Sequence, residues 1–186
     1  MLEKLNELLF DPFEMNDDIY NFNGEDYQYL CSDITNLNCK YYDVDQFATN
    51  NNVAKSFSLM HINIRSVHQH VHEFTLLFYY LNYNFTVIGL SETWFTVDNA
   101  DCYKWLGYNI INHVRTDRLG SGVSLMIGNT IPYTVKSNLK VFGASIECIV
   151  IEIESILINY DTNVTIGTVC RAPATYVKEF NEGMSF

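Results

Sequence analysis

The alternation of apolar and polar residues from position 56 onward predicts a strand, a helix and a second strand in succession. Residues 57–62 form a mostly apolar run that indicates a buried strand, and residues 85–90 form another. Between them Ser66 is predicted to cap a helix, with Gln69 completing a capping-box pattern. The apolar face of this helix repeats at helical spacing through Val67, Val71, Phe74, Phe78 and Leu81. The order strand, helix, strand predicts a β-α-β unit with parallel strands.

After position 94 the pattern changes to a succession of short strands. These are predicted over residues 108–113, 122–127, 146–153, 156–160 and 164–169. We expect the last two to form a hairpin, because turn-forming residues stand between them at positions 161–163. Many strands and few helices predict an α+β fold, with two sheets in a sandwich flanked by helices.

The first 55 residues differ in composition from the remainder, which divides the chain into a leader (1–55) and a domain (56–186). The leader is rich in Asn, Asp and Tyr and shows no sustained period, so it is predicted to be largely irregular and to pack poorly against the domain. Residues 1–50 hold 11 acidic residues against two basic ones. We interpret this charge as a solvated, flexible arm in preference to an acidic partner-binding motif.

Composition limits the partners and the compartment. The net charge is −11, without the basic surplus that nucleic-acid binders usually present, so charge alone argues mildly against a DNA partner. No run of about 18 apolar residues occurs, so no membrane partner is predicted. The chain has no secretory-signal pattern at its start, and its five cysteines include no CxxC pair. These features predict an intracellular protein, cytoplasmic or nuclear, with reduced thiols.

Two polar clusters stand at the ends of the first two predicted strands, at residues 61–66 and 91–94. Parallel neighbouring strands would bring Asn63 and Glu92 to one edge of a sheet. Metal-assisted phosphodiester cleavage needs a carboxylate for a hard divalent cation and neutral donors for phosphate, which these residues can supply. The alternatives are that Glu92 is a surface acid and that Asn63 is a turn residue.

Four ordered blocks resemble the retrotransposon branch of the endonuclease/exonuclease/phosphatase superfamily. They are His-Ile-Asn-Ile-Arg-Ser (61–66), Ile-Gly-Leu-Ser-Glu-Thr-Trp (88–94), Arg-Thr-Asp-Arg followed by Gly-Ser-Gly (115–122, with Leu119 between) and Arg-Ala-Pro (171–173). The resemblance extends from residue 57 to about residue 181. It implies a partial four-layer DNase I-like β-sandwich and a metal-dependent DNA endonuclease that nicks target sites for retrotransposition.

The same resemblance implies roles for individual residues. Glu92 would be the catalytic, metal-binding carboxylate for Mg²⁺ or Mn²⁺, and Asn63 a catalytic residue that positions the scissile phosphate or the metal. Arg118 and Arg171 would bind substrate, although Arg118 is expected more strongly to make a structural ion pair. The implied partner is DNA, and no small-molecule cofactor is expected.

The sequence departs from this family in two respects. Cys170 stands where similar domains have a tyrosine, and a thiol is a poorer hydrogen-bond donor, so we interpret Cys170 as a small buried residue in preference to a reactive thiol. The family's Gly-Asp-Phe-Asn and Ser-Asp-His blocks do not occur within the 186 residues, and His113 has no adjacent Ser-Asp to replace them. We therefore expect a fragment with an open sheet edge that is inactive by itself and binds its metal weakly.

Three other interpretations stay open from the sequence. One is a non-catalytic protein-interaction module derived from such a domain. Another is a phosphatase of the same superfamily, although the arginine-containing blocks favour the retrotransposon branch. The last is a transition-metal site on the predicted helix at His68, His70 and His72, for which an exposed polar helix face is the simpler explanation.

Overall fold

The computed structural model describes residues 43–50, 57–114, 120–139, 146–155 and 162–171. Within these ranges the secondary structure is mixed, as the α+β prediction requires. The helices are α1 (Val44–Asn50) and α2 (Val67–Leu81), with short 3₁₀ turns at Ala100–Cys102 and Ser137–Leu139. The strands are β1 (Leu59–Asn63), β2 (Val87–Ser91), β3 (Tyr108–His113), β4 (Val123–Gly128), β5 (Thr134–Val135), β6 (Ile146–Ile153) and β7 (Val164–Arg171).

The described strands form two sheets. The first has the order β1-β2-β4-β3, in which β1 and β2 are parallel and the other neighbours are antiparallel. The second has the order β5-β6-β7 and is antiparallel throughout. The predicted β-α-β unit is therefore confirmed, with α2 connecting the parallel pair β1 and β2.

Two apolar cores cover the two faces of the first sheet. On one face α2 buries Phe74, Leu77 and Leu81 against the sheet. The other face packs against the second sheet, where the buried residues include Leu125 and Ile151. All five residues of β2 are buried, as expected for a strand that is covered on both sides. This packing fixes the edge at which β1 and β2 end.

The beginning of α2 uses half of the predicted capping box. The Ser66 hydroxyl accepts a hydrogen bond from the backbone N–H of Gln69, at 3.4 Å. The backbone N–H of Ser66, which a complete capping box would pair with the Gln69 side chain, donates instead to the carbonyl oxygen of Glu92 at 2.8 Å. The start of the helix is thus tied to the segment that follows β2.

Part of the predicted leader, helix α1, is helical and packed, a local exception to the expectation of a largely irregular segment. Phe47 of α1 lies against Tyr83 and Phe85, with ring centroids 5.4 and 5.9 Å away. The Tyr80 hydroxyl of α2 also donates a hydrogen bond to Asp45. Seven residues are too few to show a clear helical period in the sequence, and α1 is stabilised by these tertiary contacts. Residues 1–42 and 51–56, and with them the rest of the leader prediction, lie outside the described residues.

The strand predictions hold with small shifts at the ends. Strands β3 and β6 have the predicted bounds, and β1, β2, β4 and β7 begin or end within two residues of them. The predicted strand at 156–160 lies outside the described residues, and the hairpin that it would form with β7 lies outside them in part. Along its described length β7 pairs antiparallel with β6, from Ile153 opposite Val164 to Ile146 opposite Arg171.

Candidate active site

Asn63 and Glu92 lie together at the edge where the two parallel strands end. Asn63 is the last residue of β1 and pairs in register with Ser91, so Glu92 follows directly beside it. The Asn63 Nδ2 atom donates a hydrogen bond to Glu92 Oε1 at 3.1 Å. The predicted juxtaposition of these two side chains is confirmed.

The backbone after β2 is held on both sides by hydrogen bonds that continue the sheet. Toward β1, the carbonyl oxygens of Glu92 and Thr93 accept from the N–H groups of Ser66 and Val67, at 2.8 and 3.0 Å. Toward β4, the N–H of Thr93 donates to the Gly122 carbonyl at 3.2 Å, while the neighbouring N–H of residue 94 donates to the carbonyl of residue 121 at 2.8 Å. These bonds fix the position from which the Glu92 side chain extends.

Left-handed backbone conformations concentrate at this edge. Six described residues other than glycine have positive φ, and five of them belong to the three segments that meet here. They are Arg65 (φ 45°), Ser66 (φ 89°), Glu92 (φ 54°), Trp94 (φ 54°) and Ser121 (φ 65°). Such conformations cost free energy, persist where surrounding contacts enforce them, and cluster at functional sites.

A buried carboxylate lies behind this edge. Glu147 of β6 is 2% exposed, and its Oε2 accepts hydrogen bonds from the Ser121 hydroxyl at 2.8 Å and from the Gly122 N–H at 2.7 Å. These bonds offset part of the desolvation cost of a buried charge. Sequence reasoning missed this role. The available signal was an acid at an inward-facing position of a strand whose other inward positions, 149, 151 and 153, are isoleucines.

Cys170 faces the same edge from β7, directly opposite Glu147. Its sulfur lies 3.6 Å from the Ser121 hydroxyl. Burial raises the pKa of the Cys170 thiol, and the charges of Glu147 and Glu92 raise it further. Hydrogen bonds with Ser121 and with the backbone of Glu92 lower the pKa again, but burial has the largest effect. Cys170 is thus a half-buried, protonated thiol at neutral pH, packed at the margin of the apolar core and beside the Ser121 hydroxyl.

We expect Cys170 to react slowly with iodoacetamide at neutral pH, because the thiolate is the nucleophile and a raised pKa makes it scarce. Cys102 is exposed and serves as the internal comparison. Peptide mapping by mass spectrometry after timed alkylation should show Cys102 modified first, and the Cys170 rate should increase as the pH rises into the alkaline range. Alkylation of Cys170 ahead of Cys102 at pH 7 would contradict this environment.

The structure says less about the other residues that the sequence singled out. Arg171 ends β7 and is exposed, and strand alternation puts it on the opposite face from Cys170, away from the first sheet. Arg118 lies outside the described residues. On α2 the Nδ1 atom of His68 is hydrogen-bonded to the Tyr103 hydroxyl at 2.7 Å. In the described part of the chain, no three His, Cys, Asp or Glu residues are grouped so that they could hold a metal ion, the histidines of α2 included.

Among the described residues, no helix is both long enough and apolar enough to span a membrane. Comparisons with protein-family models, with curated proteins and with solved structures found no match to this chain.

Proposed function

We propose that this chain supplies Asn63 and Glu92 to a metal-dependent site that cleaves phosphodiester bonds of DNA, in a DNase I-like endonuclease domain of the retrotransposon type. The observation that carries the proposal is the 3.1 Å hydrogen bond between these two side chains at the shared end of parallel strands. The parallel pair, its connecting helix and the second sheet behind it are compatible with the DNase I-like arrangement that the sequence blocks imply.

The donor atoms fit a hard divalent cation. Mg²⁺ takes oxygen ligands and is commonly held by one or two carboxylates together with substrate phosphates. Glu92 supplies a partly exposed carboxylate, and its hydrogen bond with Asn63 uses only one of about four lone-pair positions. The Asn63 amide oxygen is a second ligand of the same type. When bound, the cation would polarise a phosphoryl oxygen and lower the pKa of a bound water.

The chain's own residues would orient the substrate. The Asn63 amide can contact a phosphate oxygen without adding negative charge, and the bonds that hold residues 92–94 keep the Glu92 carboxylate in place beforehand. Arg65, exposed and two residues after Asn63, adds a basic group beside this edge. The site also lies in the part of the chain where charge is nearly balanced, since residues 51–186 hold 11 acidic and nine basic residues. The acidic excess of the chain thus belongs mainly to the first 50 residues, and the segments that form the site come from the nearly balanced part.

Terbium luminescence tests this proposal on the 186-residue protein. Tb³⁺ takes oxygen ligands as Mg²⁺ does, and it emits when a nearby aromatic ring transfers excitation to it. Trp94 is 44% exposed and two residues from Glu92, whereas Trp105 packs against Phe74 in the core under α2. We expect saturable emission that Mg²⁺ competes away and that Trp94→Phe removes.

Glu92→Gln should weaken Tb³⁺ binding at least about tenfold, because the amide keeps the shape of the side chain but loses the charge that the cation needs. Asp98→Asn is the matched control, since Asp98 is an exposed acid six residues further along the chain and should leave the binding curve unchanged. Emission that is absent, or that survives Glu92→Gln, would contradict the proposal and favour the non-catalytic interaction module.

A further inference from the structure

We infer that Glu147 is a positioning residue for Glu92: from the buried strand β6 it fixes, through Ser121 and Gly122, the backbone that carries the proposed metal-binding carboxylate. The inference rests on the proposed function, because it assigns to a buried residue a task in that same site.

Glu147 is attached directly to the segment that precedes β4. One oxygen of its carboxylate accepts both the Ser121 hydroxyl and the Gly122 N–H, at 2.8 and 2.7 Å. Hydrogen bonds to an ionised carboxylate are shorter and stronger than neutral ones, and they strengthen further where water is excluded. Glu147 is 2% exposed, so these bonds act in such an environment.

The same two residues, Ser121 and Gly122, are hydrogen-bonded to the segment that carries Glu92. The carbonyl oxygen of Ser121 accepts the N–H of Trp94, and that of Gly122 accepts the N–H of Thr93. Ser121 and Gly122 have φ of 65° and 92°, a conformation that surrounding contacts must enforce, most of all at the serine. The Glu147 carboxylate provides two such contacts.

Glu92 itself has φ 54° and directly precedes Thr93 in the chain. Its carbonyl oxygen is held from the β1 side by Ser66, and the residues after it are held from the β4 side by residues 121 and 122. Release of the β4 side would let Glu92 relax toward an ordinary backbone conformation. Its carboxylate would then move away from Asn63, even though no residue in contact with the cation had changed.

The inference is tested with Glu147→Ala, Glu147→Gln and Ser121→Ala. The matched control is Glu152→Gln, at the far end of the same strand, where Glu152 pairs with Lys136 at 2.7 Å. Three properties are measured for each variant: the melting temperature, the Tb³⁺ dissociation constant and the NMR signal of the Asn63 side-chain amide. The last reports the hydrogen bond with Glu92 directly and does not depend on any metal.

We expect Glu147→Ala to weaken Tb³⁺ binding about tenfold, as substitutions behind a metal ligand commonly do, and to shift the Asn63 amide signal at temperatures where the protein is fully folded. Glu147→Gln should recover part of the affinity, since its amide oxygen can still accept a hydrogen bond. Ser121→Ala removes one of the two bonds and should have a smaller effect in the same direction. Glu152→Gln should leave the dissociation constant and the signal unchanged.

A lower melting temperature in Glu147→Ala, with the Tb³⁺ affinity and the Asn63 signal of the folded protein unchanged, would show a merely structural role and overturn the inference. If Glu147→Ala does not fold, the same comparison with Ser121→Ala decides the question. If the unsubstituted protein binds no Tb³⁺ but Glu147→Ala or Ser121→Ala still shifts the Asn63 signal, the proposed function fails and the positioning role stands.

Discussion

Replacing Gly122 by alanine should destabilise the protein by about 2 to 5 kcal/mol, whereas the same replacement at Gly107 should cost only about 1 to 2 kcal/mol. Both glycines have nearly the same left-handed backbone, with φ of 92° and 90°. A β-carbon at Gly107 would meet nothing within 4 Å, but at Gly122 it would lie 2.6 Å from the Thr93 hydroxyl oxygen. The pair therefore separates backbone strain, which is common to both, from a steric clash at the candidate site.

To relieve the clash at Gly122, Thr93 would have to move against the contacts that hold it. Thr93 is 1% exposed, and its backbone is bonded to Gly122 on one side and to Val67 on the other. Urea denaturation of the two variants gives both free energies of unfolding. We also expect Gly122→Ala to weaken Tb³⁺ binding, because the displaced segment carries Glu92. Equal destabilisation by the two substitutions would mean that the site accommodates the extra carbon and is less rigid than the contacts indicate.

Asn63→Asp should increase the affinity for Mg²⁺ and Tb³⁺ by about tenfold or more while destabilising the metal-free protein by about 1 kcal/mol or more. The substitution replaces the 3.1 Å hydrogen bond to Glu92 by two neighbouring carboxylates. Two like charges at this separation repel each other. A cation between them relieves the same repulsion, so metal binding and stability should change in opposite directions.

The control for this gain of affinity is Asn109→Asp, on the exposed side of β3. It adds the same charge to the same sheet but away from the Glu92 carboxylate, so it should leave the Tb³⁺ affinity unchanged. Titration of the stability of Asn63→Asp with Mg²⁺ should restore it to the level of the unsubstituted protein. If Asn63→Asp destabilises the protein without strengthening metal binding, the two side chains form an ordinary surface hydrogen bond.

The part of the fold that the sequence predicted is the part specified by local pattern. The apolar runs of β1 and β2 and the helical period of α2 are each readable within a short window, and their order implies parallel strands. Helix α1 could not be predicted in this way. It is seven residues long and is stabilised by contacts of Phe47 with Tyr83 and Phe85, which lie more than 30 residues away in the chain.

The candidate site likewise contains residues that the local pattern could predict and residues that it could not. Asn63 and Glu92 were predictable as neighbours because both follow strands whose parallel pairing the pattern implies. The role of Glu147 was not predictable, because it depends on how the second sheet packs behind residues 121 and 122, about 25 positions earlier in the chain. The left-handed conformations of Glu92 and Ser121 were equally hidden, since neither residue type favours them.

Paramagnetic broadening by Mn²⁺ in the ¹⁵N-correlated NMR spectrum of the 186-residue protein tests the central claim most directly, because it locates a bound cation by distance. At substoichiometric Mn²⁺ we predict that amide signals at positions 63–66, 91–94 and 120–122 are lost first and return when Mg²⁺ is added in excess. Glu92→Gln should abolish this selective loss. Broadening centred on the histidines of α2, or on the acidic residues before position 43, with the signals of Asn63 and Glu92 intact, would contradict a metal site at the shared end of β1 and β2.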